Sequence, residues 1–97
     1  MKQTDKSANG TSFHSHTFSA TVRDLRKALG EPYCEQNDGE DKVNFEWIME
    51  TEAGDVFTVY SWKEYRKIAE DEDIEWHIGG HSEEVTKAAL EEIKTVL

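Results

Sequence analysis

The apolar positions follow two periods, and the switches between them outline the fold. Thr21-Val22-Arg23-Asp24 has capping-box spacing with an acid in the last place, and Val22, Leu25, Ala28 and Leu29 follow at helical spacing. Gly30 supplies a left-handed stop with Pro32 just beyond, so the pattern predicts a short helix with one buried face. The period then drops to two, with Val43, Phe45, Trp47 and Met49 alternating with Asn44, Glu46 and Glu50. Ala53-Gly54-Asp55 reads as a turn, and Val56 to Trp62 is rich in β-formers, so the two runs predict an antiparallel hairpin. Ile74 to Ile78 alternates again and ends at Gly79-Gly80. Ser82 is placed to cap a final helix, with Glu83 and Glu84 in its first turn. The apolar stripe of that helix runs through Val85, Ala89, Ile93 and Val96, with Leu90 and Leu97 beside it.

The stretches between carry weaker signals. Residues 1–12 are polar, contain Asn9-Gly10, and predict a disordered arm. Phe13 to Phe18 suits a short edge strand, 34–41 an acidic loop, and 63–73 a charged excursion. The order helix, strand, strand, strand, helix predicts an α+β domain over residues 13–97. Its expected form is a small antiparallel sheet of about three to four strands with two helices packed on one face. Alternation sends Tyr60, Trp62 and His77 to the opposite face, where aromatic surface suits a ligand or a dimer interface.

Composition narrows the function classes. With 36% hydrophobic and 33% charged residues in a chain of 97, the core is thin, and the ten aromatics must supply much of its burial. Oligomerisation, most simply a homodimer, would cover apolar surface that one thin sheet leaves open. The net charge is −10, and residues 31–75 hold fifteen of the 21 acids against four of the 11 bases. Such a surface argues against nonspecific binding to DNA, RNA or an anionic membrane. It leaves room for a small anionic ligand, because exposed charges beyond ~8 Å are largely screened at physiological salt. Cys34 is the only cysteine, which excludes an internal disulfide and favours a reducing compartment. Met1 to Ser12 lacks an apolar h-region, and no apolar run approaches the ~20 residues of a membrane span, so a cytoplasmic location is expected.

Catalysis finds no support in the residues. His14 and His16 share one side of a strand, but two imidazoles need further ligands to hold a metal. His77 and His81 flank the glycine pair without a thiolate or acid to complete a site. Cys34 has no local partner to activate it, and no single carboxylate stands out as an acid or base. No catalytic residue, metal or cofactor is therefore expected, and the chain reads as a binding protein. The informative stretch is Tyr60-Ser61-Trp62-Lys63-Glu64-Tyr65-Arg66-Lys67, three aromatics and three cations within an acidic segment. Flat rings stack on nucleobases, while lysine and arginine pair with phosphate. A second stretch, Trp76-His77-Ile78-Gly79-Gly80-His81-Ser82, offers glycines that let backbone amides approach a ligand and a helix start with free N–H groups. The plainer interpretation of both is aromatic core plus a strand-to-helix turn.

At these same stretches the chain resembles a group of small bacteriophage proteins. The resemblance rests on Leu29-Gly30-Glu31-Pro32, Lys42-Val43-Asn44-Phe45-Glu46-Trp47, Phe57 to Lys63, and Trp76 to Gly80, and covers roughly residues 17–95. The pattern is similar to viral anti-CBASS sponges, which sequester cyclic-dinucleotide alarm signals such as cyclic GMP-AMP without cleaving them. It implies an oligomer with the ligand held between or beside subunits. Trp62, Lys63 and Arg66 would then stack on bases and contact phosphate, with Tyr60, Tyr65, Trp76 and His77 nearby. One departure is Ser61, where the pattern has aspartate; were that acid to contact a base edge, nucleotide preference or binding itself would differ here. The main rival is an acidic inhibitor that mimics DNA in the basic groove of a host defence nuclease. A third reading is an interaction module without a small ligand.

Overall fold

The computed structural model describes residues 1–97. Its elements are β1 (Lys2–Gln3), β2 (Ser12–Ala20), α1 (Val22–Leu29), β3 (Cys34–Glu35), β4 (Phe45–Glu50), β5 (Val56–Tyr60), β6 (Ile74–Gly80) and α2 (Glu83–Val96). The fold is α+β, as the periodicity predicts. The sheet is larger than expected: six antiparallel strands in the order β1-β4-β5-β6-β2, with β3 also pairing β4. The extra strands, β1 and β3, have two residues each, too few to show any period. Both lie on the outer edge of β4, β3 beside Phe45 and Glu46, β1 beside Met49 and Glu50.

Both helices cover one face. Thr21 caps α1 by accepting the Asp24 N–H at 3.0 Å, and Gly30 ends it at φ 89°. Val22, Leu25 and Leu29 from α1, with Ala89 and Ile93 from α2, join Phe45, Trp47, Phe57, Val59, Trp76 and Ile78 in one buried cluster. Its centre is aromatic, with the Trp47 and Trp76 rings edge to face at 5.6 Å. Each indole N–H is satisfied by a carbonyl, Trp47 by Gly30 at 2.8 Å and Trp76 by Ala20 at 2.9 Å. In α2, Thr86 turns inward beside Ala89 and Ile93, while Val96 stays half exposed at the end of the expected stripe.

Residues 1–12, read from composition as a disordered arm, are tied to the fold. Lys2 and Gln3 pair with Glu50 and Met49. The Gln3 amide donates to the carbonyls of Leu29 and Glu31 at 2.8 and 2.7 Å, and Lys6 Nζ donates to Glu50 at 2.8 Å. These partners lie 26 or more residues away, so nothing local announces them. The charged excursion over 63–73 is likewise pinned, by Ile68 buried in the core.

Candidate functional site

Successive strand residues point to opposite faces, so the face away from the helices is determined by register. Glu46, Tyr60, His77 and Thr17 form one cross-strand row, and Ile48, Thr58, Gly79 and Phe13 the next. His77 lies between two rings, stacked on Tyr60 at 5.6 Å and tilted against Phe13 at 4.8 Å. Trp62, just past β5, stands at right angles to Tyr60 with centroids 6.1 Å apart. Tyr60, Trp62, Val43, Glu46, Thr58, Gly79, Thr11 and Ser12 line a depression of about 230 Å³. Gly79 forms part of its floor, where a Cβ would stand 2.6 Å from Thr58 Oγ1.

Cations gather at the rim. Lys42 Nζ and Lys63 Nζ each lie 5.8 Å from the Trp62 ring centroid. Neither ammonium takes part in an ion pair, in a molecule where every arginine does. Trp62 is 39% exposed, and an exposed indole is a surface that both cations and flat ligands favour. Lys63 has φ 58°, the left-handed region that costs a non-glycine residue roughly 1–2 kcal/mol. Its N–H donates to the Lys42 carbonyl at 2.7 Å, which holds the strained residue and brings the two lysines together.

A buried polar network fixes the two loops behind this rim. Asn44 Nδ2 donates to Asn37 Oδ1 at 3.0 Å and to the Arg66 carbonyl at 2.6 Å. Asn37 in turn accepts the Ile68 N–H and donates to the Ile68 carbonyl, both at 2.7 Å. Ser61 Oγ accepts the backbone N–H groups of Asn44 at 2.9 Å and Phe45 at 3.3 Å. Ser61 is buried, and its hydroxyl serves the backbone rather than lining the depression.

Of the residues singled out in the sequence, Tyr60 and Trp62 line the depression, Lys63 flanks it, and His77 backs Tyr60. Trp76 does not belong to it: the side chain is fully buried in the core, because residues 76 and 77 of one strand must face opposite ways. Arg66 has its guanidinium on Glu72 at 2.5 Å and Glu64 at 3.2 Å, and these carboxylates hold its pKa above the usual arginine value. Tyr65 is 57% exposed and does not line the depression. The glycine pair also acts differently from expectation. Both residues sit inside β6, paired with β5 and β2, and Gly80 makes room for α2, since a Cβ there would meet Thr86 Cγ2 at 2.8 Å. His14 and His16 are engaged separately, with the Gly80 carbonyl and Glu83, both at 3.2 Å.

Sequence reasoning missed Lys42 and Glu46. Lys42 was visible only as a cation before a strand, and Glu46 only as one polar member of an alternating run. Glu46 accepts no hydrogen bond from any side chain or backbone group, and burial raises its carboxyl above the ordinary range. Burial, with the nearby Glu46 charge second, raises the Tyr60 hydroxyl as well, so it stays a donor. Other depressions are larger, and one of about 480 Å³ takes in Tyr33 and Ile48, but its one lysine, Lys6, is already paired with Glu50. One of about 500 Å³ is lined by Lys2, Gln3, Thr4, Asp5 and Glu50 without an apolar side chain, and its Glu50 is already paired with Lys2 and Lys6. No three histidine, cysteine or acidic side chains converge as a metal-ligand set, and no helix is long and apolar enough to cross a membrane.

No protein-family model matches the chain, and no curated protein or solved structure matches it significantly. The fold and the open-face site together define an α+β domain with an aromatic, lysine-flanked depression on its uncovered sheet face.

Proposed function

We propose that the chain is a non-catalytic nucleotide-binding protein that captures a cyclic dinucleotide signal, in the manner of the phage sponges its motifs resemble. The observation that carries this is Trp62, a half-exposed ring with an unpaired lysine at 5.8 Å on each count, beside the Tyr60-lined depression. An indole face stacks on any base, worth ~1–3 kcal/mol, and the two flexible ammoniums that lie over the ring can swing aside to meet bridging phosphates. Sequestration requires affinity and slow release, and no nucleophile or metal. On this reading the protein acts in the host bacterial cytoplasm, where it silences a defence effector by removing its activator.

The volume bears on assembly. Drug-sized ligands occupy pockets of ~300–1,000 Å³, whereas the depression holds about 230 Å³. One subunit therefore accommodates one base and its phosphate, and a second copy of the chain would cover the other half of a dinucleotide. The DNA-mimic reading keeps the net charge of −10 as its support, but six of the 21 acids are held in ion pairs with arginines rather than presented singly. Arg26 pairs with Glu31, Glu35 and Glu70, Arg23 with Asp71, and Arg66 with Glu64 and Glu72.

A thermal-shift series with cyclic dinucleotides, linear dinucleotides and ADP-ribose derivatives tests the proposal. At a hundredfold excess over Kd a ligand adds ~2.7 kcal/mol, which for a domain of this size raises the midpoint by ~10 °C or more. A shift of that size with one cyclic dinucleotide, recovered intact after denaturation, is the expected result. A flat response across the series would overturn it and direct attention to a protein partner.

A further inference from the structure

The depression contains one group that phosphate binding and stacking leave unused. Glu46 lies in the row with Tyr60, between β3 and β5, and its neighbours across the strands are Cys34 and Tyr60. No cation pairs with it; the lysines of the rim gather on Trp62 instead. A half-buried carboxylate without a donor is a cost to the fold unless something brings donors to it. Glu50, on the same strand and the same face, has such donors in Lys2 and Lys6. Glu46 therefore has both the position and the vacant acceptor sites of a group that reads a ligand.

We propose that Glu46 accepts the paired N–H groups on the Watson–Crick edge of a guanine whose ring lies against Trp62, making the site selective for guanine nucleotides. This rests on the nucleotide reading of the same depression. Among the bases, only guanine presents two adjacent donors, the N1–H and the N2 amino group, in the spacing of the two carboxylate oxygens. Adenine and cytosine each place a ring-nitrogen acceptor beside their amino group, and uracil flanks its one N–H with carbonyls, so each turns a lone pair toward the carboxylate. Charge-assisted bidentate pairs are roughly twice as strong as neutral ones, and a polar group left unpaired by the wrong ligand adds to the discrimination. The Tyr60 hydroxyl, kept protonated beside Glu46, remains available as a further donor to the base or its sugar.

The experiment is isothermal titration of the full chain with cyclic di-GMP, cyclic GMP-AMP and cyclic di-AMP, using the natural sequence, Glu46→Gln, Glu46→Asp and Trp62→Ala. The natural chain should prefer the guanine-containing ligands to cyclic di-AMP by about tenfold or more. Glu46→Gln should lose that preference, with cyclic di-AMP binding unchanged within about twofold, and Glu46→Asp should fall between. The Glu46→Gln chain should melt no lower than the natural one, since it loses an unpartnered, half-buried charge; a large drop would mark Glu46 as structural and overturn the proposal. Equal binding of all three ligands, unaffected at Glu46 but abolished in Trp62→Ala, would overturn guanine selectivity and leave the nucleotide site standing. Failure of all three ligands to bind would overturn the nucleotide site itself, and this assignment with it.

Discussion

The two faces of the sheet use the same aromatic residues to opposite ends. On the helix-covered face, Phe45, Trp47 and Trp76 are fully buried, and both indole N–H groups are satisfied by carbonyls. On the other face, Tyr60, Trp62, His77 and Phe13 pack on one another edge to face, stacked or tilted, and no helix covers them. An indole enclosed on all sides contributes its full transfer energy to stability, while one left half open keeps a face for a ligand. Residue type is thus a poor guide to role in this chain, and strand parity a good one. Trp76 and His77 are neighbours in sequence yet lie on different faces.

The sharpest break between the faces should come from tryptophan removal. Trp76→Ala is expected to cost ~3–5 kcal/mol, a large part of the 5–15 kcal/mol that holds such a domain together. Trp62→Ala should cost ~1 kcal/mol or less, yet remove nucleotide binding. Urea denaturation of both variants checks the first half and titration of Trp62→Ala the second. Comparable losses of stability would collapse the distinction between the faces.

Asn44→Ala probes what joins them. It leaves the Arg66 carbonyl without the Asn44 donor and Asn37 Oδ1 with the Ile68 N–H alone, at a cost of ~2 kcal/mol. Because this network also sets the loops that carry Lys42, Trp62 and Lys63, affinity should fall together with stability. A stable variant with unchanged affinity would show that the rim is positioned by something else. Lys63→Gly should divide the two properties. Glycine relieves the left-handed strain at φ 58° but removes a cation. Stability should rise by ~0.5 kcal/mol after glycine's unfolded-state entropy is set against the relief, seen as a higher melting midpoint, while affinity for a cyclic dinucleotide falls.

Legibility in the sequence followed the range of the interactions. Local signals were readable: the Thr21 and Ser82 caps, the Gly30 stop, the hairpin of β4 and β5, and the parity that sends Tyr60 and His77 outward. What escaped depends on partners distant in the chain. β1 exists because Lys2 meets Glu50, and the rim exists because the Lys63 N–H meets the Lys42 carbonyl. Arg66 looked like a phosphate ligand until the turn at 69–72 brought Glu72 onto it. Parity applied strictly would have removed Trp76 from the candidate site, since Trp76 and His77 cannot share a face.

The smallest effect, and the one that separates two carboxylates of one strand, is their response to acid. Lys6, bonded to Glu50, holds that carboxyl below its ordinary range, with Lys2 adding to the effect. Glu50 therefore stabilises the fold fully above the unfolded glutamate pKa of ~4.3, and this contribution is lost as pH falls through the lower folded value. Glu46 behaves in the opposite sense. Burial raises it, and the groups facing it, Tyr60 from β5 and Cys34 from β3, include no cation. Its charge costs stability at neutral pH, and the cost is relieved as pH falls through the raised folded value toward ~4.3. Melting midpoints followed from pH 7 downward should show Glu46→Gln more stable than the natural chain at neutral pH, the gap closing before ~4.3. Lys6→Met should be less stable at neutral pH, with its gap closing only below ~4.3. A ligand that supplies two N–H donors would reverse the sign at Glu46, because bound guanine favours the charged carboxylate. With saturating cyclic di-GMP the Glu46 gap should therefore invert, and a gap that ignores the ligand would place the base elsewhere in the depression.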